Sequence, residues 1–378
     1  MRILIATFDP PENVGGVEGR AGAYARGLVK ENHFVDLVAL APHYDYSQTK
    51  FHGATLHKYP SSSRRVFRSF RSAVGEMSSN SIDTIFLLSG ALTLFGLLAL
   101  LFARMTGRKS LIFLYGKDIL GARSNRLESI LLILASHLSL KIAVNSRFTA
   151  RLLPGSLARK TGVLYPGVDP GIASDISGGV GEADHAKTIL FVGRLVDRKG
   201  ADDLIRAFSA LNGKYRDARL EIVGDGPEMN RLQELARELG VNDRTSFLGT
   251  LTGRRLYERF ANAYVFAMPS KTTKEDVEGF GTVFLEAGLF GKPSIGTRSG
   301  GIPEAIRDNE TGILVPEQNP RVLKDALGEL ISDEGKTLFL GKNARELVSS
   351  KFTWDASTEA LVDLLNSSGS SMQTSPGS

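Results

Sequence analysis

Apolar residues fall in short runs, parted by glycine-rich turns and by longer stretches in which they recur every three or four positions. Ile3 to Thr7, His33 to Leu40, Ala54 to Tyr59, Asp83 to Ser89, Leu111 to Tyr115 and Lys141 to Val144 read as strands, several of them apolar enough to be buried on both faces. Between them Arg20 to Lys30, Ala91 to Arg104 and Leu127 to Leu140 read as helices, and Ser146 begins another. Strands alternating with helices predict an α/β chain with a parallel, doubly wound sheet. The scheme then restarts. Thr188 to Val192, Leu220 to Val223, a short run ending at Phe247-Leu248-Gly249, Tyr264 to Pro269, Ser294 to Thr297 and Gly312 to Pro316 are strand-like, while Ala201 to Leu211 and Thr282 to Gly291 are helical. Each half has a glycine turn after its first strand, so the expectation is two facing Rossmann-like domains with a central cleft.

The break between them is compositional. Val163 to Asp169 reads VLYPGVD and Gly171 to His185 is rich in Gly, Ser and Asp, which predicts an N-terminal domain over 1–165, a linker over 166–186 and a C-terminal domain over 187–352. A last helix over 353–366 is expected to pack back on the first domain, and the Ser/Gly-rich tail, 367–378, to be disordered. Ile85 to Ala103 carries no charge over 19 residues, the lower limit for a membrane span. A span there would cut the alternating pattern in two. The helical part is therefore read as thoroughly buried or as touching lipid on one side.

At 378 residues the chain is long for one core, in agreement with two domains. It has no cysteine, which removes disulfides and thiolate metal sites, and its start, MRILIATFDP, lacks the signal-peptide pattern. The expected location is the cytoplasm, peripheral on the inner face of the membrane. Net charge is +5, so the placement of basic residues matters more than their sum. Ser61 to Ser72 reads SSSRRVFRSFRS, where Arg64, Arg65, Arg68 and Arg71 alternate with Val66, Phe67 and Phe70. On a helix that gives a cationic face beside an aromatic one, suited to an anionic membrane surface; a solvated face is the plain alternative, and nucleic acid is not the expected partner.

One nine-residue stretch carries the most chemistry. In Glu278-Gly279-Phe280-Gly281-Thr282-Val283-Phe284-Leu285-Glu286, two carboxylates bracket a glycine turn that opens an apolar helix, with Thr282 as its expected cap. Free N–H groups from Phe280 to Val283 would favour a phosphate, and each carboxylate could accept two sugar hydroxyls. A capped surface helix with two solvated glutamates is the other reading. Gly193 to Gly200, GRLVDRKG, offers Arg194 and Lys199, a planar fork and a compact charge suited to a diphosphate, or else a surface basic pair. Gly15-Gly16, between the first strand and first helix, is a place for backbone to meet a phosphate, or a flexible loop. Tyr115-Gly116-Lys117-Asp118 ends a strand in a charged turn, either a ligand site or a structural ion pair.

G-R-L-x-x-x-K-G at Gly193 to Gly200, G-D-G-P at Gly224 to Pro227, the E-x7-E pair Glu278 and Glu286, and S-G-G-I-P-E at Ser299 to Glu304 occur in the order found in retaining family 4 glycosyltransferases of the GT-B fold, which this chain resembles over its whole length. The resemblance implies a hexosyltransferase that moves a hexose from a UDP- or GDP-linked donor, held by the C-terminal domain, to a hydroxyl of a lipid-linked or cell-envelope glycan, held by the N-terminal one. It implies diphosphate contacts from Arg194, Lys199, Gly15 and Gly16, ribose contacts from Glu286, and a catalytic role for Glu278 on the donor sugar beside Arg194 and Lys199. The backbone of Phe280, Gly281 and Thr282 would meet sugar hydroxyls and phosphate. No Asp-x-Asp and no histidine cluster occur, so neither metal nor other cofactor is expected. Many relatives carry a histidine where this chain has Lys117; Lys117 and Asp118 are expected to contact donor or acceptor instead. A nucleotide-sugar epimerase of the same fold, or a non-catalytic partner that binds nucleotide-sugar at the membrane, would share these features.

Overall fold

The structure, a computed structural model, describes residues 1–8, 18–41, 47–60, 75, 82–177, 187–211, 215, 217–274 and 276–367. Gly15, Gly16, Arg64, Arg65, Arg68, Arg71 and the tail beyond residue 367 lie outside them. The chain divides into two units, Met1–Pro166 with Trp354–Ser378, and Gly167–Thr353.

The first unit is built on an eight-stranded sheet: β1 Arg2–Thr7, β2 Phe34–Ala41, β3 Ser47–Phe51, β4 Ala54–Pro60, β5 Thr84–Leu87, β6 Lys109–Leu114, β7 Lys141–Val144 and β8 Thr161–Val163, in spatial order β3-β4-β2-β1-β5-β6-β7-β8. Every pair is parallel except β3 with β4. Successive side chains alternate between faces, so Leu4 joins one core with Val38, Ile85 and Phe95, while Ile3 and Ile5 join the other with Tyr24, Phe86 and Phe113. Strand β3, SQTKF, escapes a hydrophobic reading because it is a polar edge strand, mostly exposed and joined to β4 by a tight turn with positive φ at His52 and Gly53.

Helix Leu94–Met105 starts after the expected Ala91, where the Thr93 hydroxyl caps the Gly96 N–H. It buries Phe95, Ala99, Leu100 and Ala103 and leaves Leu94, Leu101 and Met105 exposed, so the described residues cover it on one side only. Helix Trp354–Asn366 packs on helix Glu18–Lys30: the Trp354 and Tyr24 rings meet edge-on at 5.8 Å, the Tyr24 and Ser357 hydroxyls lie 2.9 Å apart, and a Cβ on Gly27 would stand 2.2 Å from Thr358 Oγ1.

The second unit holds a six-stranded sheet, β9 Thr188–Val192, β10 Arg219–Val223, β11 Thr245–Phe247, β12 Val265–Met268, β13 Ser294–Thr297 and β14 Gly312–Val315, ordered β11-β10-β9-β12-β13-β14 and parallel throughout. Part of the expected linker belongs here. Gly171–Ser177 is a helix that packs against Gly253–Asn262, its first turn fixed by the Asp169 carboxylate, which accepts the Gly171 N–H at 2.9 Å. Its Gly, Ser and Asp content describes a helix start rather than a free connector.

Candidate active site

In the second sheet β9 has β10 on one side and β12 on the other, so chain order reverses between β9 and β12. The carboxyl ends of strands at such a reversal are where open α/β sheets bind ligands, because the crossover loops part there. The glycine motifs converge on that edge. The Gly193 N–H donates to the Val223 carbonyl at 3.0 Å, and the Leu195 N–H to the Asp225 carbonyl at 2.8 Å, which lays the loop after β9 on the Gly224-Asp225-Gly226-Pro227 turn. The Lys271 N–H donates to the Arg198 carbonyl at 2.7 Å, while its ammonium contacts both Asp202 carboxylate oxygens at 2.8 and 2.9 Å. Burial opposes the Lys271 charge, but Asp202, Asp203 and Asp197 outweigh it and raise its pKa, so the loop after β12 is tied to the start of helix Ala201–Ser209.

Glu278 sits between two cations. Its Oε2 accepts from Lys199 Nζ at 2.5 Å and from Arg198 Nη1 at 3.0 Å, while Arg198 Nε lies 2.8 Å from Asp276. Burial alone would raise the pKa of this carboxyl; Lys199 and Arg198 reverse that and hold it below the usual carboxylate range. Arg194, by contrast, is exposed and makes no ion pair with a described residue. Of the two basic residues singled out for a diphosphate, one is therefore shared with a carboxylate and one is open.

The turn that follows is held by backbone. Gly281, not Thr282, is the N-cap of helix Thr282–Leu289, with φ 85°, and a Cβ there would come within 2.6 Å of the Phe284 ring. Because the cap has no side chain, no side-chain oxygen takes up the first amides of the helix. Gly300, at φ 55°, packs so tightly that a Cβ would be 2.1 Å from the Glu278 carbonyl oxygen, and the Gly301 N–H donates to that carbonyl at 2.9 Å. The Ser299 to Glu304 motif is thus the backing of the Glu278 turn. Phe280 is buried against Phe352, rings 5.5 Å apart, so only its backbone is available to a ligand.

Glu286, one turn into the helix, has no cation beside it among the described residues. Burial raises its pKa from 4.5 to about 7. The nearby Tyr257 hydroxyl is raised as well, by burial first and then by the charges of Glu286 and Asp169. A carboxyl of this kind, half-hidden and without a positive partner, is suited to hydroxyl donors.

In the first unit the chain order reverses between β1 and β5. At the carboxyl ends of β5 and β6 a cavity of about 390 Å³ is lined by Gly90, Thr93, Phe113, Lys117, Asp118 and Glu128 among others. Lys117 is exposed. Asp118 is engaged in the fold: its carboxylate accepts the Tyr115 N–H at 2.9 Å and caps helix Gly116–Ser124, a helix hidden in the sequence behind its opening glycine. Arg198, Asp276, Lys271 and Tyr257 were not singled out from sequence. Arg198 lies inside the basic loop itself, and spacing does not tell which of its charges faces the carboxylate.

Among the described residues no group of three or more His, Asp or Glu is placed to hold a metal ion.

Residues 174–347 match the model of the family described as glycosyl transferases group 1. The GDP-mannose-dependent alpha-(1-6)-phosphatidylinositol monomannoside mannosyltransferase of Mycobacterium tuberculosis is 39% identical over 180 residues, 47% of each chain. The D-inositol 3-phosphate glycosyltransferase of Corynebacterium urealyticum is 35% identical over 189 residues, 48% of this chain and 43% of that one. These matches therefore span about half the length of the relatives. Among solved structures, Thermosynechococcus elongatus sucrose-phosphate synthase superposes with a TM-score of 0.77 at 20% identity, covering 96% of this chain and 98% of that one. Anabaena HepE in complex with UDP does so with 0.76 at 22% identity, covering 97% and 99%. Residues 174–347 are thus similar to the glycosyl transferases group 1, and the chain has the fold of these solved structures, GT-B.

Proposed function

We propose that the chain transfers a hexose from a nucleoside-diphosphate donor to a hydroxyl of a membrane-lipid glycan, with retention at the anomeric carbon and without a metal. The observation that carries this reading is the set Lys199, Arg198 and Glu278 at the switch point of the second sheet, beside the amide-bearing turn at Gly281 and the unpaired carboxyl of Glu286. A GDP-linked donor carrying mannose is favoured, because a mannosyltransferase named for GDP-mannose is 39% identical over 180 residues.

The chemistry follows from where charge develops. As the bond from the anomeric carbon to phosphate breaks, the leaving diphosphate gains negative charge and the sugar becomes oxocarbenium-like. Arg194, Lys199 and the amides at the start of helix Thr282–Leu289 stabilise the leaving group, the role a divalent cation fills elsewhere. Glu278 accepts a donor-sugar hydroxyl and Glu286 the ribose diol. The acceptor hydroxyl attacks from the face the leaving group departs, and a phosphate oxygen takes its proton. On the same reading the roles left to the remaining residues are diphosphate binding for Gly15 and Gly16, sugar or acceptor binding for Lys117, and binding of anionic lipid for Arg64, Arg65, Arg68 and Arg71.

Thermal stabilisation by GDP and UDP, followed by turnover of the matching sugar donor with and without a mannosylated lipid, tests the reading. Stabilisation by a nucleoside diphosphate that disappears in Lys199→Met, together with glycosylated product whose anomeric configuration equals the donor's, is the expected result. An epimerised donor formed without acceptor, or binding with no turnover, would replace transfer by epimerisation or by a regulatory role.

A further inference from the structure

Eight of the twelve large apolar side chains exposed among the described residues fall between positions 94 and 140. On helix Leu94–Met105 they are Leu94, Leu101 and Met105, spaced to share one stripe. On helix Arg126–Leu138, which packs beside it, Leu127, Ile130 and Leu134 form a second. These six are 44–78% exposed, although the opposite faces of both helices supply buried core residues. The stripes lie in the most basic part of the chain. From Thr84 to Val168 there are eleven Lys or Arg and two acids, Asp118 and Glu128, so this stretch carries +9 while the whole chain carries +5.

We propose that the paired stripes are a docking face for an anionic lipid bilayer. Apolar side chains on surface helices enter the boundary between headgroups and acyl chains, and the exposed Arg104, Arg123 and Arg126 stay with the lipid phosphates. A second copy of the chain is a poor occupant, since a two-fold pair would bring like charge against like charge. Neither helix is long and apolar enough to cross a membrane, so the contact is with the surface. The face is made of residues other than Arg64 to Arg71. It deepens the membrane-lipid reading above and rests on it for its purpose, but its test does not involve the donor.

Co-sedimentation of the full chain with phosphatidylcholine vesicles, with and without phosphatidylglycerol, gives the partition coefficient. The wild type is expected to bind the anionic vesicles, with weaker binding at high salt. The double variant Leu101→Glu with Ile130→Glu is expected to lose on the order of a hundredfold in partition, and Leu338→Glu, an exposed site in the second unit, to lose none. Nucleotide-induced thermal stabilisation should survive in all of them, which separates failure of this face from failure of the transferase reading. Unchanged partition in the double variant, no binding by the wild type, or complete loss on replacing only Arg64, Arg65, Arg68 and Arg71 would overturn the proposal. So would a wild-type dimer in sedimentation equilibrium that the double variant dissociates.

Discussion

Replacing Glu286 with glutamine removes one titration from a half-buried place and leaves the shape of the side chain. In the folded protein this carboxyl titrates near pH 7 instead of 4.5, because burial disfavours its charged form and no cation compensates. Folding is then coupled to pH in a fixed direction. Between the two values the folded chain holds a proton that the unfolded chain has released, so this residue's contribution to stability is complete below the unfolded value and lost as pH rises through the folded one. The interval, at about 1.4 kcal/mol per unit, sets an upper bound of about 3 kcal/mol; water reaching the partly exposed side chain reduces it to about 2 kcal/mol. For a domain of this size that is a shift of roughly 4–8 °C. Glu286→Gln should therefore melt higher than the wild type at about pH 8 and with it at about pH 4, in differential scanning calorimetry of the second unit's transition. Nucleotide binding should run the other way. An ionised carboxylate is the better acceptor for a ribose diol, so wild-type affinity for GDP should rise as pH passes 7 and the variant's should stay flat. A melting difference independent of pH, or a carbon-13 titration of Glu286 near 4.5, would refute the assignment of burial as the dominant influence.

Three further outcomes follow from the geometry around Glu278. Lys199→Met leaves that carboxylate with Arg198 alone and takes a charge from the diphosphate, so the dissociation constant for GDP or UDP should rise about 10- to 100-fold by calorimetry. In Arg198→Gln, drawing Lys199 toward a diphosphate strands Glu278 without a cation; binding heats in two buffers of different ionisation enthalpy should report uptake of close to one proton, against little in the wild type. Gly300→Ala must move the Glu278 carbonyl from 2.1 Å, and turnover should fall at least tenfold while the melting temperature drops by only a few degrees. For the first unit, Lys117→Ala tests a charge in the cavity beyond β6, and transfer at the wild-type rate would remove Lys117 from the site.

The sheets were legible because their strands are short, apolar and buried on both faces, so a run such as RILIAT leaves little choice. Helices were harder where polar surface hides the period, as in Gly253–Asn262, whose single fully buried residue is Phe260. The site was readable as motifs and not as partners. Glycine spacing marks where the backbone turns, but that Gly300 and Gly301 back the Glu278 turn depends on two strands from opposite sides of a helix coming to one edge. Likewise Lys199 and Arg198 are neighbours in sequence, and only the fold decides that both face a carboxylate eighty positions away. Asp118 shows the converse, since an acid at the third position of a helix serves capping as well as it would a ligand, and spacing alone does not separate the two.

The seating of helix Trp354–Asn366 on Tyr24 and Gly27 has a consequence for biosynthesis. Leu361, Leu364 and Leu365 complete a hydrophobic layer begun by Ile3 and Ile5, so that layer stays open to water while the intervening polypeptide leaves the ribosome. The unit that starts first is finished last, and the one translated in between can close on itself beforehand. Nascent chains arrested before Trp354 should accordingly show a protease-resistant middle attached to a vulnerable beginning.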